Sequence, residues 1–206
     1  MSQRITGLYR LTQLPQVYAA FQSLLGGERT RRELINVYLH PKSGDRVLDI
    51  GCGSASLLPD LGEISYTGID RNPEHIASAK QRFGNKASFY CGSVATVVQF
   101  ANGPFDLVIG IGLLHHLGDA EVDELCQLVK DRLAPGGRFV TIDPAFVVGQ
   151  NPIAYWLAAR DSGECVRTPD AYTERLQPFF GKLCTTIRHN LLRVPYTHCI
   201  MVAHVD

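Results

Sequence analysis

Apolar positions in this chain fall into short runs that alternate with longer stretches of helical spacing. Val47–Ile50, Tyr66–Ile69, Phe89–Val94, Phe105–Ile111 and Phe139–Asp143 are compact and rich in β-branched or aromatic residues, as strands are. Val47, Leu48 and Ile50 put apolar groups on both faces, the mark of a strand covered on each side. Between the runs, Gln16–Leu25, Arg29–Leu39, a stretch from Asn72-Pro73 to near Gly84 and another from Asp119 to Leu133 repeat apolar residues with helical period. His40-Pro41 ends the second of these helices. Such alternation predicts an α/β fold on a parallel sheet. Beyond it, Ile153–Arg160 and a stretch opened by Thr168-Pro169 and running to Phe180 read as helices of an insertion longer than an ordinary connection. Cys184–Val194 and Tyr196–Val205 read as two strands joined by a turn at Pro195.

The first strand carries the chemistry. Asp49 interrupts its apolar run, Gly51, Cys52 and Gly53 turn the chain, and Ser54 can cap a following helix. A strand, a glycine turn and a helix N-terminus make a polar-ligand site at the carboxyl edge of a parallel sheet. The dinucleotide fingerprint G-x-G-x-x-G fails at its third position, which is Ser56. About twenty residues after Asp49, Asp70 ends the second strand, the separation at which a βαβ unit presents an acid to a ribose. A carboxylate there can accept bonds from both vicinal hydroxyls. As an acid at a strand end, it supports little of the core. Asn72-Pro73 then reads as an N-cap followed by proline at the first helical position.

Asp49, Gly51, Gly53 and Ala55 resemble motif I of the class I S-adenosylmethionine-dependent methyltransferases, with alanine in place of the usual third glycine. Phe105-Asp106-Leu107-Val108, the later His115-His116-Leu117 and the run Leu133–Phe139 (LAPGGRF) resemble motifs IV to VI of small-molecule members of the ubiquinone-biosynthesis type. The likeness covers about Gly44 to Asp143. It implies a doubly wound, Rossmann-like sheet of seven strands in the order 3-2-1-4-5-7-6, strand 7 antiparallel, with N-terminal helices and a helical insertion after strand 5. On this reading one methyltransferase domain divides into a helical cover (1–43), a cofactor-binding core (44–143), a helical cap (144–181) and a strand hairpin (182–206). The resemblance implies S-adenosylmethionine as cofactor, held by Asp49, Gly51, Cys52, Gly53, Asp70, Arg71, Ser93, Val94 and Gly110. Ser93 stands where the pattern places the group that binds the adenine amino group, and the Val94 N–H can serve a ring nitrogen.

His115 and His116 follow the strand that should end beside the transferred methyl group. Histidine titrates near neutral pH and can take a proton from an acceptor hydroxyl. A histidine after a strand can also do no more than bond a helix end. By resemblance, His116 is the base and His115 its structural or cofactor-side partner. No third ligand stands at a helpful spacing, so no metal is expected. Base assistance matters most for a hydroxyl, which points to O-methylation of a small molecule by in-line displacement. The helices Gln16–Leu25 and Arg29–Leu39 either cover the sheet or close over the cofactor, with Tyr9, Tyr18 or Gln22 reaching its amino-acid end.

The insertion carries Tyr155, Trp156, Arg160, Arg167, Tyr172 and Arg175. It is either a helical layer with a solvated basic rim or a cap whose aromatics and arginines build an acceptor pocket. Asp143-Pro144-Ala145-Phe146 looks like the D-P-P-F/Y signature of nucleic-acid amino-methylating enzymes, but that signature belongs after strand four. Asp143 can still line the acceptor pocket. Lys plus Arg and Asp plus Glu number 20 each, which argues against a basic groove for nucleic acid or an anionic membrane partner. Six cysteines stand singly and MSQRITGLYR lacks an apolar signal region, so reduced thiols and a cytoplasmic setting are expected. A nucleotide-dependent oxidoreductase and a non-catalytic S-adenosylmethionine-binding module are the alternatives. A dinucleotide enzyme would usually need a second glycine turn, and none appears.

Overall fold

The computed structural model describes residues 27–93, 96 and 102–205. The helix expected at Gln16–Leu25, with Tyr9, Tyr18 and Gln22, lies outside the described residues, as does Val94. Seven strands form one sheet: β1 Arg46–Ile50, β2 Ser65–Asp70, β3 Ser88–Cys91, β4 Phe105–Ile111, β5 Leu133–Pro144, β6 Lys182–Arg188 and β7 His198–His204. Their order is β3-β2-β1-β4-β5-β7-β6. The first five run parallel and β7 lies antiparallel between β5 and β6, as the resemblance implies.

Both faces of the centre are sealed. Val47, Leu107, Ile109 and Val140 enter one apolar cluster, and Leu48, Val108 and Phe139 enter another, all with no solvent exposure. Helix α1 (Gly27–Leu34) continues as a π-turn through Leu39 and stops at His40, whose left-handed φ of 43° breaks the repeat. Helix α2 (Pro73–Phe83) starts as its sequence predicts, with the Asn72 side chain accepting from Glu74 N–H at 2.9 Å. Helix α3 (Asp119–Arg132) leads into β5. Its N-cap is Gly118, whose N–H donates to Glu121 Oε2 at 2.9 Å. The insertion supplies α4 (Pro152–Ala158) and α5 (Pro169–Leu176), the latter capped by Thr168.

Two local expectations fail for identifiable reasons. No α-helix follows the glycine turn; the chain makes turns and a single 3₁₀ turn at Leu58–Asp60, so Ser54 caps nothing. Ala55 sits at φ 56°, and the Pro59 ring in a helix would clash with the Ala55 carbonyl. The end of the chain is not a tight hairpin at Pro195, since residues 189–197 form a long connection. Leu191 leaves the strand pattern to pack with Leu34, Ile142 and Ile200, and its carbonyl accepts from the Thr30 hydroxyl.

The chain builds outward from β1 through β2 to β3, then returns to β4 on the other side of β1. That reversal opens a crevice at the carboxyl ends of β1 and β4, where a doubly wound sheet binds its ligand.

Candidate functional site

The crevice floor is the turn after β1. Gly51 has φ 78° and Gly53 has φ 55°; a Cβ at Gly53 would meet no atom within 4 Å, so the turn is open to a ligand there. Gly51 N–H and Cys52 N–H donate to the Ile69 carbonyl at 2.7 and 3.0 Å, pinning the turn to β2. Beneath it, Gly68 admits no side chain: a Cβ there would lie 2.9 Å from Cys52 Sγ and from the rings of Phe89 and Tyr66. Cys52 is buried, and burial pushes its thiol far above the usual range. Asp49 is buried too, and its Oδ2 accepts from the Tyr66 hydroxyl at 2.6 Å. Burial raises its carboxyl to about 7, against the lowering effect of that bond.

Asp70 stands at the end of β2 with its carboxylate already engaged. Gly53 N–H donates to Oδ2 at 2.9 Å and Asn72 N–H to Oδ1 at 2.8 Å, while His75 Nδ1 lies 3.4 Å from Oδ1. Burial acts to raise its pKa, but these donors outweigh it and the net shift is downward. Of the roughly four acceptor positions on a carboxylate, the protein therefore occupies two and approaches a third. That leaves less for two ribose hydroxyls than the sequence suggests. It also overturns the expectation that Asp70 does little for the fold, since it ties the glycine turn to the start of α2.

Arg71 follows directly. Ser93 lies just past β3, its carbonyl accepting from Thr96 N–H and Oγ1 at 3.0 and 2.8 Å. Gly110 is inside β4, packed so that a Cβ would come within 3.3 Å of Leu113 and Phe139.

After β4, Leu114–His116 form a 3₁₀ turn that separates the two histidines. His115 is 5% exposed. Its N–H and its Nδ1 both bond Asp143 Oδ1, at 3.1 and 2.8 Å, and its Nε2 lies 3.1 Å from Asp161 Oδ1. Both ring nitrogens face carboxylate oxygens, so both must carry protons and the ring is an imidazolium. Burial alone would lower its pKa; the bonds to Asp143 and Asp161 outweigh burial and raise it to about 9. Asp161, between His115, Gly163 N–H and the Tyr196 hydroxyl, is held well below the usual carboxylate range despite its burial.

His116 has the opposite character. Burial, and then the His115 cation, push it down to about 4. The two rings lie 4.1 Å apart, centroid to centroid, at 39°. At neutral pH the pair is one charged ring and one neutral ring.

A third polar group does stand beside the histidines: donor atoms of His115, His116 and Asp161 all lie within 4.8 Å of one another, with both His115 ring nitrogens taken up by Asp143 and Asp161.

Arg167 and Arg175 of the insertion are engaged by groups of the protein itself. Arg167 donates to the carbonyls of Leu114, Leu117 and Cys165 at 2.8–3.1 Å and to Asp119 at 2.7 Å. It closes the end of the histidine turn. Arg175 pairs with Asp123 on α3 at 3.3 Å. Arg160 stacks on Trp156, 4.4 Å from the ring centroid. Tyr172 is fully buried and donates to the Pro144 carbonyl at 3.1 Å, whereas Tyr155 and Trp156 are exposed.

A family described as a methyltransferase domain matches residues 47–137. A methyltransferase of Synechocystis sp., itself uncharacterized, is 31% identical over 137 residues, covering 64% of this chain and 64% of that protein. The ubiquinone biosynthesis O-methyltransferase of Xylella fastidiosa is 30% identical over 159 residues, 72% of this chain and 61% of that enzyme. The chain thus spans less than two thirds of either relative. A Haemonchus contortus phosphoethanolamine N-methyltransferase, solved with phosphomonomethylethanolamine and S-adenosylhomocysteine, superposes with a TM-score of 0.76 at 14% identity, over 97% of this chain and 59% of that one. No helix among the described residues is long and apolar enough to cross a membrane.

Proposed function

Because residues 47–137 belong to the methyltransferase domain family, we propose that this chain transfers a methyl group from S-adenosylmethionine to a small molecule, on oxygen, with His116 receiving the proton. The observation that carries this reading is the neutral His116 beside a charged His115 at the end of β4. The cofactor fits the residues present: Gly53 opens on free space and the Asp70 carboxylate is ionised at the strand end.

S-adenosylmethionine supplies a methyl group already activated on a sulfonium. Asp70 binds the ribose. The turn Gly51–Gly53 lets the ligand approach the backbone, with Asp49 buried behind it. Arg71, Ser93, Val94 and Gly110 complete the set on the resemblance to the family. The protein's main task is to hold donor and nucleophile about 3–3.5 Å apart and in line. His116 is a weak base, yet adequate for this work. An oxygen that has gained a methyl group while keeping its proton is a far stronger acid than the starting hydroxyl. Proton transfer late in the displacement therefore runs downhill even to a group near pH 4.

A mass-spectrometric screen of phenols, sugars, carboxylates and amines for the gain of one CH₂ tests the reading. Turnover on hydroxyl compounds is expected. Cofactor binding without any turnover selects a binding module instead, and binding of NAD in its place selects an oxidoreductase.

Asp70→Ala is expected to weaken S-adenosylmethionine binding by roughly 1–3 kcal/mol. It should also lower the melting temperature, because Gly53 and Asn72 lose their acceptor. Titration calorimetry on the folded variant checks the first; unchanged affinity would remove Asp70 from the site.

A further inference from the structure

His115 is where segments distant in the chain meet. β5 supplies Asp143, and the stretch after α4 supplies Asp161, Gly163 and Cys165. The connection ahead of β7 supplies Tyr196, whose hydroxyl donates to Asp161 Oδ2 at 2.8 Å. Backbone bonds close the same junction. Cys165 N–H donates to the His115 carbonyl at 2.9 Å, and Gly163 N–H donates to Asp161 Oδ1 at 2.9 Å. A Cβ at Gly163 would lie 2.1 Å from His115 Cδ2 and 2.5 Å from its carbonyl oxygen. The insertion is therefore pressed against the histidine turn with no space for a side chain.

We propose that Asp161 is a positioning residue of the reaction centre: with Asp143 it grips His115 between two carboxylates, and this grip fixes both the insertion and the turn that presents His116. The proposal takes His116 as the working base from the methyl-transfer reading; the grip on His115 stands independently of it.

Geometry explains why an acid serves here. His115 Nδ1 is committed to Asp143, so Nε2 can face another acceptor at 3.1 Å only by carrying its own proton. Asp143 serves only the Nδ1 edge of the ring, where its Oδ1 takes two bonds, so the proton on Nε2 needs an acceptor of its own, and Asp161 supplies it with a charge. A cation 4.1 Å from the neighbouring ring opposes a second imidazolium, so His116 stays neutral. The charged and titratable groups acting on the pair are Asp143 from β5, Asp161 from the insertion, Arg71 after β2 and His198 from β7.

Asp161→Asn separates charge from shape. Its side-chain oxygen can still accept from Gly163 N–H and face His115, but the second carboxylate charge is gone. Nitrogen-15 spectra of the histidine rings, on the full chain, read the result without any acceptor. Wild-type His115 should keep both ring N–H protons at pH 7.5 and titrate above pH 8. In Asp161→Asn its midpoint should fall by one pH unit or more, a tenfold loss in proton affinity.

With an acceptor in hand, turnover should fall by up to about 10²-fold, the scale of a misplacement of about 1 Å. The pH profile should gain an inflection where His115 now titrates, and the KM for S-adenosylmethionine should hold. Asp161→Ala should add a rise in acceptor KM.

Three results overturn the proposal. They are a wild-type His115 that titrates below pH 7, a midpoint unmoved by Asp161→Asn, or one equivalent of zinc or manganese bound by the wild-type chain and lost with Asp161→Asn. Intact spectra in a chain that transfers no methyl group would support the grip and count against the methyl-transfer reading alone.

Discussion

His116→Ala should lower turnover by about 10²–10⁴-fold while cofactor affinity holds. The loss should appear in kcat and kcat/KM together, because the ring's task lies in the transition state. The wild-type pH profile carries the sharper test. An ordinary histidine base would cost activity below about pH 6.5. Burial and the His115 charge hold His116 neutral to about 4, so the acid limb of kcat/KM should lie near that value. Initial rates between pH 4 and 8, on the acceptor that the screen identifies, check both. A limb near 6.5, or near-full turnover in the variant, would leave proximity alone to carry the reaction.

The adjacent substitution should act on a different quantity. His115→Ala strips Asp143 and Asp161 of the cation between them, and Asp143 is fully buried. Breaking a buried ion pair by removing one partner costs about 3–5 kcal/mol. For a domain of this size that is roughly 6–20 °C in melting temperature. His115→Ala is therefore no neutral control for His116→Ala.

The sign of its pH dependence follows from the raised pKa. Folding stabilises the charged ring, so the contribution is complete below the unfolded value of about 6.5. It disappears as pH rises through about 9. Melting curves at pH 6, 8 and 10 should show the gap between wild type and His115→Ala closing. A constant gap would mean that packing, rather than charge, is what the ring supplies.

The sheet was readable because its strands are covered on both faces. Val47 and Leu48, or Leu107 and Val108, are adjacent and all fully buried, so the central strands announce themselves as short apolar runs. The strand ends were readable too, which placed Gly51, Asp70 and the histidine pair at one edge. Local backbone detail was not. The missing helix after β1 turns on Ala55 at positive φ, and the long connection before β7 turns on Leu191 finding partners on α1 and β5.

The charge network was the least legible part. Asp161 lies far along the chain in a stretch without strong periodicity, and nothing local ties it to His115. Arg167 and Arg175 misled for a related reason. A sequence shows a guanidinium but not the carbonyl ends, here those of Leu114 and Leu117, that need its protons. One clue was available: Asp143, in the buried last half of β5, called for a polar partner, and His115 was the nearest candidate by topology.

The contact between the insertion and the histidine turn also bears on how such a chain can diversify. If the insertion, residues 145–181, builds the acceptor pocket, the same segment also brings Asp161, Gly163 and Arg167 to the histidine turn. A chimaera that imports another insertion imports a new neighbour for His115 as well. On the proposed methyl-transfer reading, acceptor choice and base strength would then be inherited together. Transplants that carry an acid and a glycine in the same register have a route to activity, and those lacking them must first rebuild the turn.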